Sequence, residues 1–545
     1  MGRSAWQLPL LLLPLLGVVQ CYRLCSNHVS SIAYSTRGRM SVASTVGFVK
    51  GDSVADDRIA KYFEDSVALP SGGVSSIAAV ATANEVGRQN LQTLKRPFGK
   101  DEAWRHTNLR KLFAFSYEQP QQDYAQQLQL ASLEPLIDAQ CLEACLVFID
   151  GKFAPHLSRT AAIPQDIIAG PLSSLSADST DLPAMQLLLN APLPESGEFA
   201  RNSFASDVLG ALNQAHVQDA ACVVVPAGIH VEAPLQVLFC STASAVSASA
   251  TPAVSAPGSY PRLLVSLGEG AALQLKQSFF TLLVGEDGTP RATDDGAIAL
   301  VSQPAMVNSY SRLEVARGAK LVHTYTQELS LDTRHIEVLS ASVGTGGAYD
   351  VTVLQSGAAI GRVNAHIALA ETQSNCSLHC ITLAGERQSL DLHSNILHGA
   401  PDCVSRQQQR NVIADKGEAI FKGRIQVPKV AQLTNSDQLC RSVMLGQRAR
   451  VVAMPTLEIQ ADNVECSHGA SVQDLDENSM FYLAARGVDR AEARKLLLRG
   501  FVFDLLAENV MDERGTRRIV RKLEAMYPKE VRGELPTSGQ KFMSI

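Results

Sequence analysis

The chain has 545 residues, a formal net charge of −6 and 46% hydrophobic residues. That length supports a large core in two or three parts, and the acidic balance argues against nucleic acid as the main partner. Beyond the N-terminal stretch no run of about eighteen apolar residues occurs, so the mature chain is not expected to span a membrane.

Residues 1–50 read as an address. A single basic residue, Arg3, precedes an apolar run from Leu8 to Val19, the size of a signal-peptide core and too short to cross a bilayer. From Gln20 to Lys50 the chain is rich in Ser and Thr and carries Arg23, Arg37, Arg39 and Lys50, with no acid before Asp52. Transit peptides have this character. A signal peptide joined to a transit segment predicts delivery to the stroma of a complex plastid through the secretory route. Plain secretion is the competing reading. Removing the five basic residues of this leader takes the charge from −6 to −11.

The 11 cysteines speak against secretion. Their number is odd, they form no disulfide framework, and no Cys-x-x-Cys occurs. Cys141/Cys145 and Cys376/Cys380 are weak metal spacings, and buried thiols in a reducing compartment explain them better.

Residues 51–140 read as a polar helical region, with helical spacing over Asp56–Asp65. Trp104, in Pro97–Leu109, reads as a core anchor. Ala144–Phe153 is an apolar run broken by Asp150-Gly151, a hairpin signal. The chain is then loop-rich to about Gln218, with a helical piece placed at 184–189. Residues 241–261, rich in Ser, Ala and Pro, read as a disordered surface insertion between two strands.

From Arg262 to about Ala461 short runs alternate apolar and polar residues, as in Lys320–Tyr325, Tyr349–Leu354, Val363–Leu369 and Cys376–Leu383. Period two means strands with one buried face. Many short strands at regular spacing fit a sandwich, a barrel or a β-solenoid, and the periodicity leaves the three open. After residue 470 the period turns helical. Asp489 and Glu492 suit a capping box, and Ala493, Leu497, Phe501 and Leu505 form an apolar stripe. A helical hairpin there is placed to cap the open edge of a solenoid. The basic run Arg514–Lys522 reads as a solvated helix face, and the tail from Pro528 as frayed.

The chemistry concentrates in Ala461–Ala470, where Cys466 and His468 stand two residues apart. On a strand both point to one face, so both can approach one iron, copper or sulfur species. Other sites fail. No Gly-x-x-x-x-Gly-Lys-(Ser/Thr) exists to bind ATP, and no Gly-x-Ser-x-Gly nucleophile elbow exists. His393 and His398 lack the Glu of a zinc-protease helix, and His379-Cys380 reads as core.

This segment resembles the signature of the SufB/SufD family of iron–sulfur cluster assembly proteins. The match runs in order through Asp391, His393, His398, Asp415-Lys-Gly-Glu, Asn435-Ser-Asp-Gln, Pro455-Thr-Leu-Glu and Phe481–Gly487. Lys95–Leu109, with its Glu-x-Trp-Arg-x-Thr-Asn-Leu, adds a weaker match. Gly469 after the motif histidine, where the SufB type carries Glu, is the SufD pattern.

The resemblance implies a mainly β protein, a right-handed parallel β-helix over residues 141–470. Helical regions flank it at 51–140 and 471–545. It further implies a non-catalytic scaffold that pairs with a SufB-like subunit through the β-helix and binds a SufC-like ATPase through the C-terminal helices. A transient iron–sulfur cluster would form at the subunit interface with His468, and Cys466 beside it, as ligands. The chain itself would bind no ATP. One Cys and one His are too few for a permanent cluster, which normally takes four thiolates, so ligands must come from a partner or the cluster must move on. A SufB-type chain with an atypical motif, and an independent β-helical metalloenzyme using Cys466 and His468, are the alternatives.

Overall fold

The computed structural model describes residues 52–68, 78–120, 122–175, 207–244, 255–285, 290–291, 304–506 and 511–527. Its centre is a column of paired strands. The first half comprises β1 (Ala221–Val225), β2 (Leu235–Ser244), β3 (Arg262–Leu267), β4 (Ala272–Val284), β5 (Ala305–Val315), β6 (Lys320–Glu328), β7 (Thr333–Val343) and β8 (Ala348–Gln355). The second half comprises β9 (Ile360–Leu369), β10 (Asn375–Ala384), β11 (Ser389–His398), β12 (Val404–Ile413), β13 (Glu418–Val427), β14 (Asn435–Met444), β15 (Arg450–Ile459) and β16 (Glu465–Gln473).

Odd strands pair only with odd strands and even with even, in parallel, so two sheets face each other across one core. Lys320 stands beside Ala348, followed along the sheet by Asn375, Val404, Asn435 and Glu465. The chain therefore advances one rung about every thirty residues, the mark of a solenoid. Of the three architectures that period-two alternation allows, this register selects the β-helix.

The hydrophobic core fills the space between the sheets, with Val265, Leu313, Leu339, Leu392 and Phe421 fully or almost fully buried. Polar residues share that interior where they find partners. Tyr349 Oη lies 2.9 Å from His323 Nδ1, and Gln409 Nε2 donates to Asn411 and Thr382.

The longer helices among the described residues of the N-terminal half are α1 (Asp52–Ala68), α2 (Ala78–Thr93) and α3 (Asp207–His216). Tyr62, Phe63, Leu112, Leu209 and Leu212 pack with Tyr310, Ile336 and Val338 on the outer face of the odd sheet. Gly87 permits α2 to touch α3, since a Cβ there would lie 2.4 Å from the Ala215 backbone nitrogen. Asn84 donates to the carbonyls of Gln214 and Val217, satisfying the end of α3. Trp104 is fully buried with the Arg362 guanidinium 4.0 Å from its ring centroid, so it is the core anchor expected of it. The hairpin at Asp150-Gly151 also forms, joining Cys145–Ile149 to Lys152–Phe153 with φ of 51° and 84° at the turn.

The structure corrects several expectations. Residues read as loop form α3, whose residues Val208–His216 are all buried. The 51–140 region also holds a strand, Ser116–Glu118, which pairs with Ser255–Ser259. That partner, with Ser241–Ser244 of β2, lies inside the span read as an insertion, so both ends of residues 241–261 are sheet. The helical piece placed at 184–189 and the tail from Pro528 lie outside the described residues.

The C-terminal helices are α4 (Glu477–Ala484), α5 (Arg490–Phe503) and α6 (Glu513–Met526). They do not cap the solenoid's end. Leu498, Val502, Leu505, Ile519 and Leu523 pack with Leu354, Ile381, Leu383, Val412 and Val443, along the flank of the even sheet. The buried face of α5 is consequently Ala493, Leu498 and Val502, while Leu497 and Phe501 stay partly exposed. Asp489 caps α5 through the amides of Ala491 and Glu492, as its position predicted.

The basic run of α6 is a solvated face at Arg514, Arg517 and Arg521, but Arg518 and Lys522 turn onto the solenoid. Arg518 bonds both Glu328 carboxylate oxygens at 3.1 Å and the Pro135 carbonyl, and Lys522 donates to Gln388. Burial lowers the Lys522 ammonium to about 8.

Candidate functional site at the open end of the solenoid

The two ends of the solenoid differ. At the N-terminal end the sheets finish in short antiparallel strands, Ile168–Pro171 on β1 and Lys152–Phe153 on Cys145–Ile149. At the C-terminal end they finish in β15 and β16, 10 and 9 residues long, with no strand beyond them among the described residues. Their outer edges present a row of backbone donors and acceptors, and natural proteins rarely leave so long an edge bare without a partner. Ile459 and Val472 on these strands are 41% and 44% exposed, and Val430 and Leu433 in the turn between β13 and β14 are also exposed. Leu433 holds φ at 61°, a left-handed conformation uncommon for a leucine.

Cys466 and His468 lie on β16. Their register partners on β14 are Ser436 and Gln438, both buried and facing the interior. Cys466 and His468 therefore share the inward face, as their spacing implied. They are reachable because no further rung covers them among the described residues. His468 is exposed and Cys466 half-buried. Burial pushes the Cys466 thiol up from its ordinary value, and a backbone hydrogen bond involving Ser436 pulls it the other way.

Beneath the pair the interior is polar. Ser436 Oγ lies 2.7 Å from Ser405 Oγ, which lies 2.9 Å from His398 Nε2. Gln438 Nε2 donates to Gln407 at 2.7 Å, and Gln407 Nε2 donates to Ser394 at 2.6 Å. Sequence reasoning gave Ser436 and Gln438 no role. The signal was there as polar residues repeating at inward positions, but β12 reads Ser-Arg-Gln-Gln-Gln-Arg-Asn and is polar on both faces, which hides the inward one.

The other cysteines among the described residues are all buried and free of disulfides. Burial raises the thiols of Cys440 to about 11 and of Cys141 and Cys380 to about 12, which makes them inert at neutral pH. Cys376 and Cys380 both lie inside the solenoid, as core. His393 and His398 are buried on β11, and burial holds the His398 imidazole down to about 4. Among the described residues no three His, Cys, Asp or Glu side chains gather as a metal site. The end of the solenoid therefore offers two donors of a kind that suits iron or sulfur, at a surface open to a second molecule.

A second concavity adjoins this end. A groove of about 680 Å³ runs between the even sheet and the C-terminal helices, lined by Arg410, Arg441, Ser471, Leu496, Leu497 and Phe501 among others. Phe481, Tyr482 and Leu496 are large apolar side chains left exposed on the same helices. Among the described residues no helix is long and apolar enough to cross a membrane.

Comparison with known proteins agrees with this architecture. The model for the SufBD protein N-terminal region matches residues 63–237, and that for the SUF system FeS cluster assembly SufBD core domain matches residues 250–501. An iron–sulfur cluster assembly SufBD family protein of Synechocystis is 28% identical over 76% of this chain and 84% of its own. The chloroplastic protein ABCI7 of Arabidopsis thaliana is 29% identical over 82% of this chain and 85% of its own. The iron–sulfur cluster assembly protein SufD of Escherichia coli is 24% identical over 81% of this chain and 92% of its own. A β-solenoid flanked by helices and matched along both halves by these two models makes this chain a member of the SufBD family of iron–sulfur cluster assembly proteins.

Proposed function

We propose that the protein is a SufD-like, non-catalytic scaffold subunit on which a nascent iron–sulfur cluster forms and from which it departs. The observation that carries this reading is the open end, where long bare strand edges and exposed apolar residues surround one thiol and one imidazole. A SufB-like solenoid meeting these edges would satisfy the backbone groups of β15 and β16 and supply the missing ligands. The cluster is cargo, held by His468 and Cys466 together with the partner's groups. Mixed and shared ligation favours release over retention, as delivery requires.

The C-terminal helices would dock a SufC-like ATPase through Phe481, Tyr482 and Leu496. Their attachment along the flank leaves both the ATPase face and the solenoid end free at once. The chain would bind no ATP, since it lacks a phosphate-binding loop. The chloroplastic relative and the leader-like residues 1–50 support work in a plastid stroma reached through the secretory route.

Coexpression with SufB-like and SufC-like partners tests the reading. A stable three-component complex is expected, and Val472→Glu should remove the SufB-like chain from it while the ATPase stays. A chain that remains alone with both partners present would overturn the proposal.

A further inference from the structure

The interior beneath His468 is a directed ladder of amides. Gln438 Nε2 donates one hydrogen to Gln407 Oε1 on the rung below, and Gln407 Nε2 donates one to Ser394 Oγ. Both side chains are buried to within 1%. Both bonds run away from the open end, and the Gln438 carbonyl oxygen is left as an acceptor. Gln438 Oε1 is buried without a hydrogen-bond partner among the described residues.

An unmet buried carbonyl costs about 1–3 kcal/mol, so its surroundings decide what it is for. Below it stands Gln407. Across the core stands Gly423, where a Cβ would lie 2.3 Å from Gln438 Nε2 and 2.5 Å from Phe421 Cζ, so any larger residue would displace the amide and the ring from their seats. On the remaining side, one rung on, is its register partner His468. Parallel neighbours on one face stand about 4.8 Å apart, a gap that an imidazole and an amide close with one side-chain rotation. His468 itself makes no side-chain hydrogen bond among the described residues.

We propose that Gln438 is the positioning residue for His468: its Oε1 accepts the N–H of one imidazole nitrogen, so the other nitrogen presents its lone pair at the open end. A neutral imidazole has one donor and one acceptor nitrogen, and the hydrogen bond made by the first decides which nitrogen is free to bind metal. Ligating histidines are generally held in this way. The inference rests on the reading of His468 as a cluster ligand for its purpose, but not for its geometry. It assigns Gln438 and Gly423 to the site although neither touches the cargo.

The test uses the full chain labelled with 15N-histidine, His468 being assigned by the signal lost in His468→Ala. One tautomer of His468 should dominate in the native chain. Gln438→Met, similar in size and without an acceptor, should move the two tautomers from the native ratio to that of an unrestrained neutral histidine. Gln438→Glu, which keeps an acceptor, should preserve the native preference. Gly423→Ala, which pushes the amide from its seat, should act like Gln438→Met, and guards against a variant that does not fold. A His468 tautomer that ignores both Gln438→Met and Gly423→Ala overturns the inference. Cluster assembly on His468→Ala in the three-component complex is read separately. If assembly is unimpaired the reading of His468 as a ligand fails, whatever the tautomer shows.

Discussion

Glu337 sits inside the solenoid on β7, fully buried, with the Ser309 hydroxyl donating to its carboxylate. Burial raises its carboxyl to about 7 from the ordinary 4.5, against the opposing pull of hydrogen bonds from Ser309 and Ser311. Below pH 4.5 the group is protonated in the folded and unfolded chain alike, and its burial carries no charge penalty. Between 4.5 and 7 the folded chain holds a proton that the unfolded chain has released, so stability falls as pH rises. Above 7 the loss is complete, at about 3 kcal/mol. Glu337→Gln keeps the shape and an acceptor for Ser309 and does not titrate. The variant should gain on the native chain by under about 1 kcal/mol at pH 5 and by about 3 kcal/mol at pH 8. Urea unfolding of both chains at pH 5, 6, 7 and 8 measures the gap. A gap that stays constant over that range would refute the argument from burial, because any difference in packing alone is independent of pH.

Leu498→Ala removes a fully buried side chain from the contact between α5 and the even sheet and should cost about 2–5 kcal/mol there. Hydrogen exchange should speed up across α4, α5 and α6 while the strands of the solenoid stay protected, and capture of a SufC-like ATPase should weaken. In the folded chain an alkylating reagent should modify the peptide carrying Cys466 ahead of those carrying Cys376, Cys380 or Cys440, as peptide mass spectrometry reports. Ile459→Glu, on an already exposed edge position, should leave the melting temperature within about 2 °C, as surface changes do. It should still abolish pairing with a SufB-like chain in size-exclusion chromatography.

What was legible in the sequence was what period and local chemistry carry. Lys320–Tyr325, Tyr349–Leu354 and Cys376–Leu383 alternate cleanly, and each lies in a strand. Asp150-Gly151 and Asp489 act through neighbours within three residues, so the hairpin and the cap could be read directly. The shared inward face of Cys466 and His468 followed from their spacing. Alternation alone could not distinguish solenoid from sandwich, because both bury one face of each strand. The family resemblance made that choice.

What was hidden depends on distant partners. Asp207–His216 has no exposed face to give it a helical stripe, and Asn213 is buried because it donates to Pro261 and Asn308. Arg518 and Lys522 look solvated in the sequence, yet Glu328 and Gln388 draw them onto the solenoid. The position of the C-terminal helices on the flank follows from those bonds and from Leu498 and Val502, which no local pattern could assign to one wall of the solenoid over its end. Gln438 was obscured in the same way: a glutamine on a strand reads as solvent-facing until the register puts it under His468.

In the proposed role His468 acts at an interface that supplies the remaining ligands. Anaerobic reconstitution of the three-component complex with iron and sulfide, followed by its visible absorption, tests this most directly. The native chain should support formation of a cluster that transfers to an acceptor protein, and His468→Ala should form an intact complex that accumulates little or none. Full cluster formation on the His468→Ala complex would contradict the account.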